Sequence, residues 1–358
     1  MDNLKFIVFP VLFSALVGCG TRENDPAVLT VDDFAITIEQ TVDHTIIAAS
    51  ENFTQQNLKM QDAIESFCIN FDAASLNNAQ NQWRQLNEAW FSLANFNFGP
   101  LNDDLIFPAY TFIDSLRLRG TNYIATARTE IQQNLNENTP LSAAYFNQQT
   151  FQKIGLLALE VTLFESANES QSTEANTIIA DFQAQPRKCE IAYGLSTNLL
   201  ERAQYVQNGW KVKYLQNQAS YRTLLLNNRL EDGSAPLTRI LTAVQEHLDY
   251  LSKRNVVTVS ASLAQHNWQS LNAAISTIEQ LLNGSEQSTT SLFKLMTLAG
   301  AELAVNTVKN NLQAAKNSIA AQDVVALNAA LGLLDGNFKR EIPDALDVEL
   351  GINFTDGD

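Results

Sequence analysis

Charge is scarce in this chain and unevenly signed. Only 17% of its 358 residues are Asp, Glu, Lys or Arg, and 39 acidic against 23 basic side chains leave a net charge of −16. That shortage of cations excludes a phosphate-neutralising groove, so neither nucleic acid nor an anionic lipid surface is an expected partner. Histidine is nearly absent. His44, His247 and His266 stand far apart, with no His-Glu-x-x-His and no pair three or four residues apart, so a zinc-peptidase site lacks its ligands. Each reads as an ordinary residue on a helix surface. Gly-rich phosphate loops and Cys-x-x-Cys are missing, and Gly194-Leu195-Ser196-Thr197-Asn198 lacks the closing Gly of a nucleophile elbow. Proline is limited to 8 residues, and no strand-like alternation bounded by hairpin turns occurs. After the N-terminal segment no apolar run approaches the roughly 18 residues that a spanning helix needs, so the body is expected to be soluble.

What the N-terminus does contain is an address. Lys5 precedes an apolar stretch from Phe6 to Val17, and Leu16-Val17-Gly18-Cys19 reads as a lipobox. Residues 1–18 are therefore expected to be a lipoprotein signal peptide, with acylation at Cys19 and a tether over 19–29. Gly20 stands where inner-membrane retention would call for Asp, which points to the outer membrane, with the body in the periplasm of a Gram-negative-type bacterium. Several acyl chains on one residue hold a protein firmly, since burial contributes about 0.8 kcal/mol per CH₂. Cys68 and Cys189 remain in an oxidising compartment, where a disulfide between them and two buried thiols are both open readings.

The remainder reads as an all-α protein of two tandem helical bundles, residues 30–208 and 209–358. Apolar residues recur at three- and four-residue steps: Phe34, Ile38, Val42 and Ile46, then Trp83, Leu86, Trp90 and Leu93 behind a cap at Ser75. Phe98-Gly99-Pro100 breaks that third helix, and Pro108 begins a short one through Phe112, Leu116 and Leu118. A long helix is expected over 174–207, kinked at Pro186, with Gly209 at the boundary. Helices follow at 210–228, 236–254, 257–283, 288–320 and 323–334. A faint internal echo relates Ala79–Ala89 to Ala264–Ala274, Trp83 matching Trp268.

The most informative stretch is Phe151 to Phe164, FQKIGLLALEVTLF, apolar on every side from Ile154 onward except at Glu160. A segment apolar all round belongs in a bundle interior. An unpaired carboxylate there costs several kcal/mol, so Glu160 must find a cation, a metal or hydrogen-bond donors, or stay protonated. Gly155, about 1 kcal/mol worse than Ala in a helix interior, indicates a close backbone neighbour. Arg84 shares a helix with the buried Trp83 and Trp90, and its guanidinium fork makes it the expected partner of Glu160. Asp114 completes the expected cluster.

This segment resembles the signature of the imelysin family, Gly-x-His-x-x-Glu before an apolar run ending in Phe or Tyr. Gly155 and Glu160 stand in place, with Leu157 at the His position. Asn81–Trp90 resembles the family's W-R-x-x-W helix, Phe98-Gly99-Pro100 its exit, Phe112-Ile113-Asp114 its Ile-Asp turn, and residues 351–358 its Gly-Phe-Asn-x-x-Asp-Gly-Asp end. The resemblance implies two packed helical bundles and a non-enzymatic, lipid-anchored part in iron acquisition. Such a protein would bind a metal, with iron at Glu160, a metal complex, or an envelope iron-uptake or redox protein. It also implies two alternatives, an imelysin-type metallopeptidase and a docking lipoprotein without metal.

Overall fold

The structure is a computed structural model that describes residues 29–116, 121–167, 171–254 and 256–350. The signal segment, Cys19, most of the tether and the closing motif at 351–358 lie outside the described residues. Every regular element among the described residues is helical, as the apolar periodicity requires. Thr30 caps the Asp33 amide while the Asp33 carboxylate returns to the Thr30 amide, and this capping box starts α1 (Val31–Thr41). A π turn, Val42–Ile47, carries it without a break into α2 (Ala48–Asn70). Phe71 then turns left-handed. The N-cap of α3 (Ala73–Leu93) is Asp72 rather than Ser75, which answers the cap from the third helical position.

Beyond α3 the chain makes three tight 3-10 turns, Ala94–Phe96, Gly99–Leu101 and Ala109–Phe112, and the helix expected from Pro108 through Leu118 is in its first part the last of these, ending at Phe112. Helices α4 (Ile124–Asn136), α5 (Ala143–Phe146) and α6 (Gly155–Phe164) follow. Every residue of α6 except Leu157 is buried, as an all-round apolar segment should be. The long helix expected next is two, α7 (Ala175–Ala184) and α8 (Arg187–Lys211), because Pro186 starts a new helix better than it continues an old one. α8 runs straight through Gly209 to Lys211. Gly209 is small for a packing reason: a Cβ there would stand 2.7 Å from the Pro100 ring.

The second half contains α9 (Tyr221–Leu226), α10 (Pro236–Lys253), α11 (Val256–Val259), α12 (Asn267–Asn283), α13 (Leu292–Leu298), α14 (Glu302–Ala321), α15 (Val324–Lys339) and α16 (Glu341–Leu346). Three expected helices are shorter or divided. The 210–228 segment is helical only in α9 once α8 has ended, 288–320 breaks at Gly300, and 257–283 breaks between α11 and α12. Helices α2, α3, α6 and α8 pack as one group, and α10, α12, α14 and α15 as another. The seam between them is α3 lying along α12, so one apolar core runs through both groups.

Two covalent and ionic ties reinforce the first group. Cys68 and Cys189 form a disulfide joining α2 to α8 across 121 residues of sequence. Beside it, the wholly buried Lys188 reaches Asp181 at 2.6 Å and the Glu165 carbonyl at 2.9 Å. A cross-link closing so long a loop removes much unfolded-chain entropy, so Cys68→Ala with Cys189→Ala is expected to cost about 2–5 kcal/mol in urea unfolding with little change in helix content.

Candidate functional site

The site is assembled by two tryptophans and one glycine. Gly155 opens α6 at φ +81°, and the next amide, that of Leu156, donates to the Ile113 carbonyl at 2.9 Å. A Cβ on Gly155 would lie 2.6 Å from that same oxygen, so only glycine lets α6 begin against this backbone. On α3, the Trp83 indole N–H donates to the Leu156 carbonyl at 3.1 Å, and two turns later that of Trp90 donates to Asp114 Oδ2 at 3.0 Å. Asp114 Oδ1 accepts from the Leu116 amide at 3.1 Å. The buried face of α3 thus orients both the motif helix and the turn carrying Asp114. Gly99 and Pro100 lie buried in the 3-10 turn beyond it.

Glu160 projects from α6 into the seam and is 1% exposed. Its Oε1 accepts two backbone amides, from Leu263 at 2.9 Å and Ala264 at 3.0 Å. Those amides are available because the chain leaves helical geometry between α11 and α12, with Ala261 and Gln265 both left-handed at φ 49° and 52°. Arg84 does not pair with Glu160. Its Nε donates instead to the Ala264 carbonyl at 3.2 Å, and its guanidinium lies over the Phe164 ring, 5.0 Å from the centroid. The acid and the guanidinium therefore grip the same short turn through its amide and carbonyl groups. Further along the seam, His266 Nε2 meets Glu88 Oε1 at 2.6 Å, and Asn87 donates to Ser270 Oγ at 2.7 Å. His266 is half-buried and His247 fully buried, so neither is the surface residue expected.

Burial pushes the Glu160 carboxyl up to about 7; the amides of Ala264 and Leu263 pull it down, and the Glu165 charge adds to the rise. Oε2 makes no hydrogen bond to any described residue. A cavity of about 30 Å³ opens beside this carboxylate, lined in part by Trp83, Asn87, Asp114, Leu157 and Ser260. That is space on the scale of one or two water molecules. A resident metal does not fit. Glu160 and Asp114 are the carboxylates lining the cavity, Leu157 presents hydrocarbon, and no group of three His, Cys, Asp or Glu is placed to hold an ion among the described residues. What the arrangement can do is hold or release one proton near neutral pH.

Residues 46–347 match the family model described as imelysin, peptidase M75. This chain belongs to the imelysin family. An imelysin-like protein from Psychrobacter arcticum 273-4 shares the fold with a TM-score of 0.71 at 16% identity, over 91% of this chain and 99% of that one. A protein described as an iron-regulated protein A precursor, from Parabacteroides distasonis ATCC 8503, aligns with a TM-score of 0.54 at 14% identity, over 89% of this chain and 96% of that one. No curated protein matches the sequence. Within this imelysin chain, the Leu263–Ala264 amides, Asn87 and Ser270 are site residues that sequence reasoning missed. The turn that frees the two amides contains no Gly or Pro to announce it.

Three substitutions separate the roles. Gly155→Ala is expected to destabilise by about 1–3 kcal/mol, through the left-handed φ and the clash with the Ile113 carbonyl, read by thermal unfolding. Glu160 binds its proton more tightly folded, at about 7, than at its ordinary 4.5. The folded state therefore holds the extra proton between those values, and stability falls as pH rises through that window, by up to about 3 kcal/mol, then levels. Glu160→Gln keeps an acceptor for both amides and should flatten that slope in urea titrations from pH 4 to 8. Glu160→Leu leaves the amides without their acceptor and should cost about 1–3 kcal/mol at every pH.

Proposed function

We propose that this imelysin-family chain is a non-enzymatic component of iron acquisition, held at the outer membrane by a lipid on Cys19, which acts by engaging an envelope iron-uptake or redox protein. The observation that carries this reading is the state of Glu160. Its Oε1 is committed to the Leu263 and Ala264 amides, beside a cavity that Leu157 helps to line, with no group of three metal-donor side chains around it among the described residues. A metallopeptidase needs an ion with an open coordination position to activate water. Two carboxylates beside a hydrocarbon side chain do not supply that position. Support for the iron context comes from the Parabacteroides distasonis neighbour, described as iron-regulated. Support for the anchor comes from the Leu16-Val17-Gly18-Cys19 lipobox.

Calorimetry tests the metal half of this reading. Residues 21–358, stripped with chelator and titrated with ferrous and ferric iron beside Glu160→Gln, are expected to show no Glu160-dependent binding. Micromolar or tighter binding that disappears in Glu160→Gln would restore a metal centre and overturn the proposal. In cells, Cys19→Ala should move the protein out of the outer-membrane fraction; retention there would rule out the lipid anchor.

A further inference from the structure

Between the 3-10 turns Gly99–Leu101 and Ala109–Phe112, residues 103–108 form a loop that presents three consecutive large apolar side chains to solvent. Leu105 is 104% exposed, as open as in an extended peptide, Ile106 71% and Phe107 55%. A slack loop would fold such side chains back onto the body; this one is held out by its own carboxylates. Asp104 Oδ1 accepts the amides of Ile106 at 2.8 Å and Phe107 at 2.9 Å. Asp103 Oδ1 accepts the Ala109 amide at 2.9 Å, and its other oxygen takes the Tyr205 hydroxyl of α8. Phe107 leans on Phe112 and Phe151, which stiffens the base of the loop. Leu215, itself 47% exposed, lines the same hollow as Leu105 and widens the apolar area.

The chemistry of this tip selects an occupant. An unpaired amide costs several kcal/mol in hydrocarbon, and the loop's own carboxylates already pair the amides of Ile106, Phe107 and Ala109. Leucine, isoleucine and phenylalanine partition into lipid, which needs no matching shape from its guest. Protein hot spots favour Trp, Tyr and Arg instead, and leucine is under-represented among them. The flanking Asp103 and Asp104, with the net charge of −16, repel an anionic surface. A zwitterionic one remains.

We infer that this loop is a membrane contact in its own right, seating Leu105, Ile106 and Phe107 in the interface of a zwitterionic phospholipid layer. It is independent of Cys19. A loop of three side chains binds weakly and reversibly, so it orients the body against a bilayer rather than anchoring it. The test is flotation of residues 21–358, which keep every described residue and carry no lipid, with vesicles of phosphatidylcholine and phosphatidylethanolamine. The protein is expected to float with them, less so when phosphatidylglycerol is added. Leu105→Ser with Ile106→Ser should weaken flotation about tenfold, while circular dichroism stays unchanged because both side chains are exposed. Failure to float with neutral vesicles, or equal flotation of the variant, overturns the inference. So does a self-association seen by sedimentation that the variant abolishes without any vesicle binding, since the tip would then be a protein contact. None of these outcomes bears on the lipid anchor, which residues 21–358 lack.

Discussion

The seam of the molecule depends on one carboxylate oxygen accepting two backbone amides. Glu160 Oε1 holds Leu263 and Ala264 across the boundary between the two helical groups, while Arg84 holds the carbonyl of Ala264. A turn with two left-handed non-glycine residues is costly to form alone, at roughly 1–3 kcal/mol for each strained residue. It persists because donors and acceptors from α3 and α6 meet its polar groups from both sides. The buried acid and the irregular turn explain each other: neither would be tolerable without its counterpart.

That mutual arrangement also sets the chemistry available to this member of the imelysin family. With one oxygen occupied and burial opposing its charge, Glu160 is poised near neutrality rather than held as a permanent anion. A histidine in the motif would add a nitrogen donor to the cavity, whereas Leu157 adds only apolar wall. The same backbone scaffold thus serves as a protonatable strut. Gly155, Trp83 and Trp90 retain their positioning roles in it, because those roles concern where α6 and the Asp114 turn sit and not what they ligate.

Away from the seam, two buried carboxylates of the first helical group, Glu165 and Asp181, are each met by a cation. Glu165 accepts a bidentate pair from Arg128 at 2.6 and 2.8 Å, and Asp181 accepts from Lys188. Such pairs fix relative helix positions more than they add net stability, since desolvation offsets much of their attraction. The Cys68–Cys189 disulfide and the continuous core carry the larger share of cohesion.

Sequence by itself determined the all-helical class, the interior position of α6 and the need for glycine at 155. Each follows from local physics: a 3.6-residue apolar period, an apolar surface on every side, and a residue without Cβ where a backbone must pass close. It also brought Glu160 and Asp114 forward as members of one site, and both line the same cavity. The partner of Glu160 was not legible. Residues 257–283 carry a helical pattern without Gly or Pro, and nothing local marks the break that exposes the Leu263 and Ala264 amides. Only the tertiary structure decided it, because the energy that opens that turn comes from side chains some 100 to 180 residues away in the chain, Glu160 on one side and Arg84 on the other.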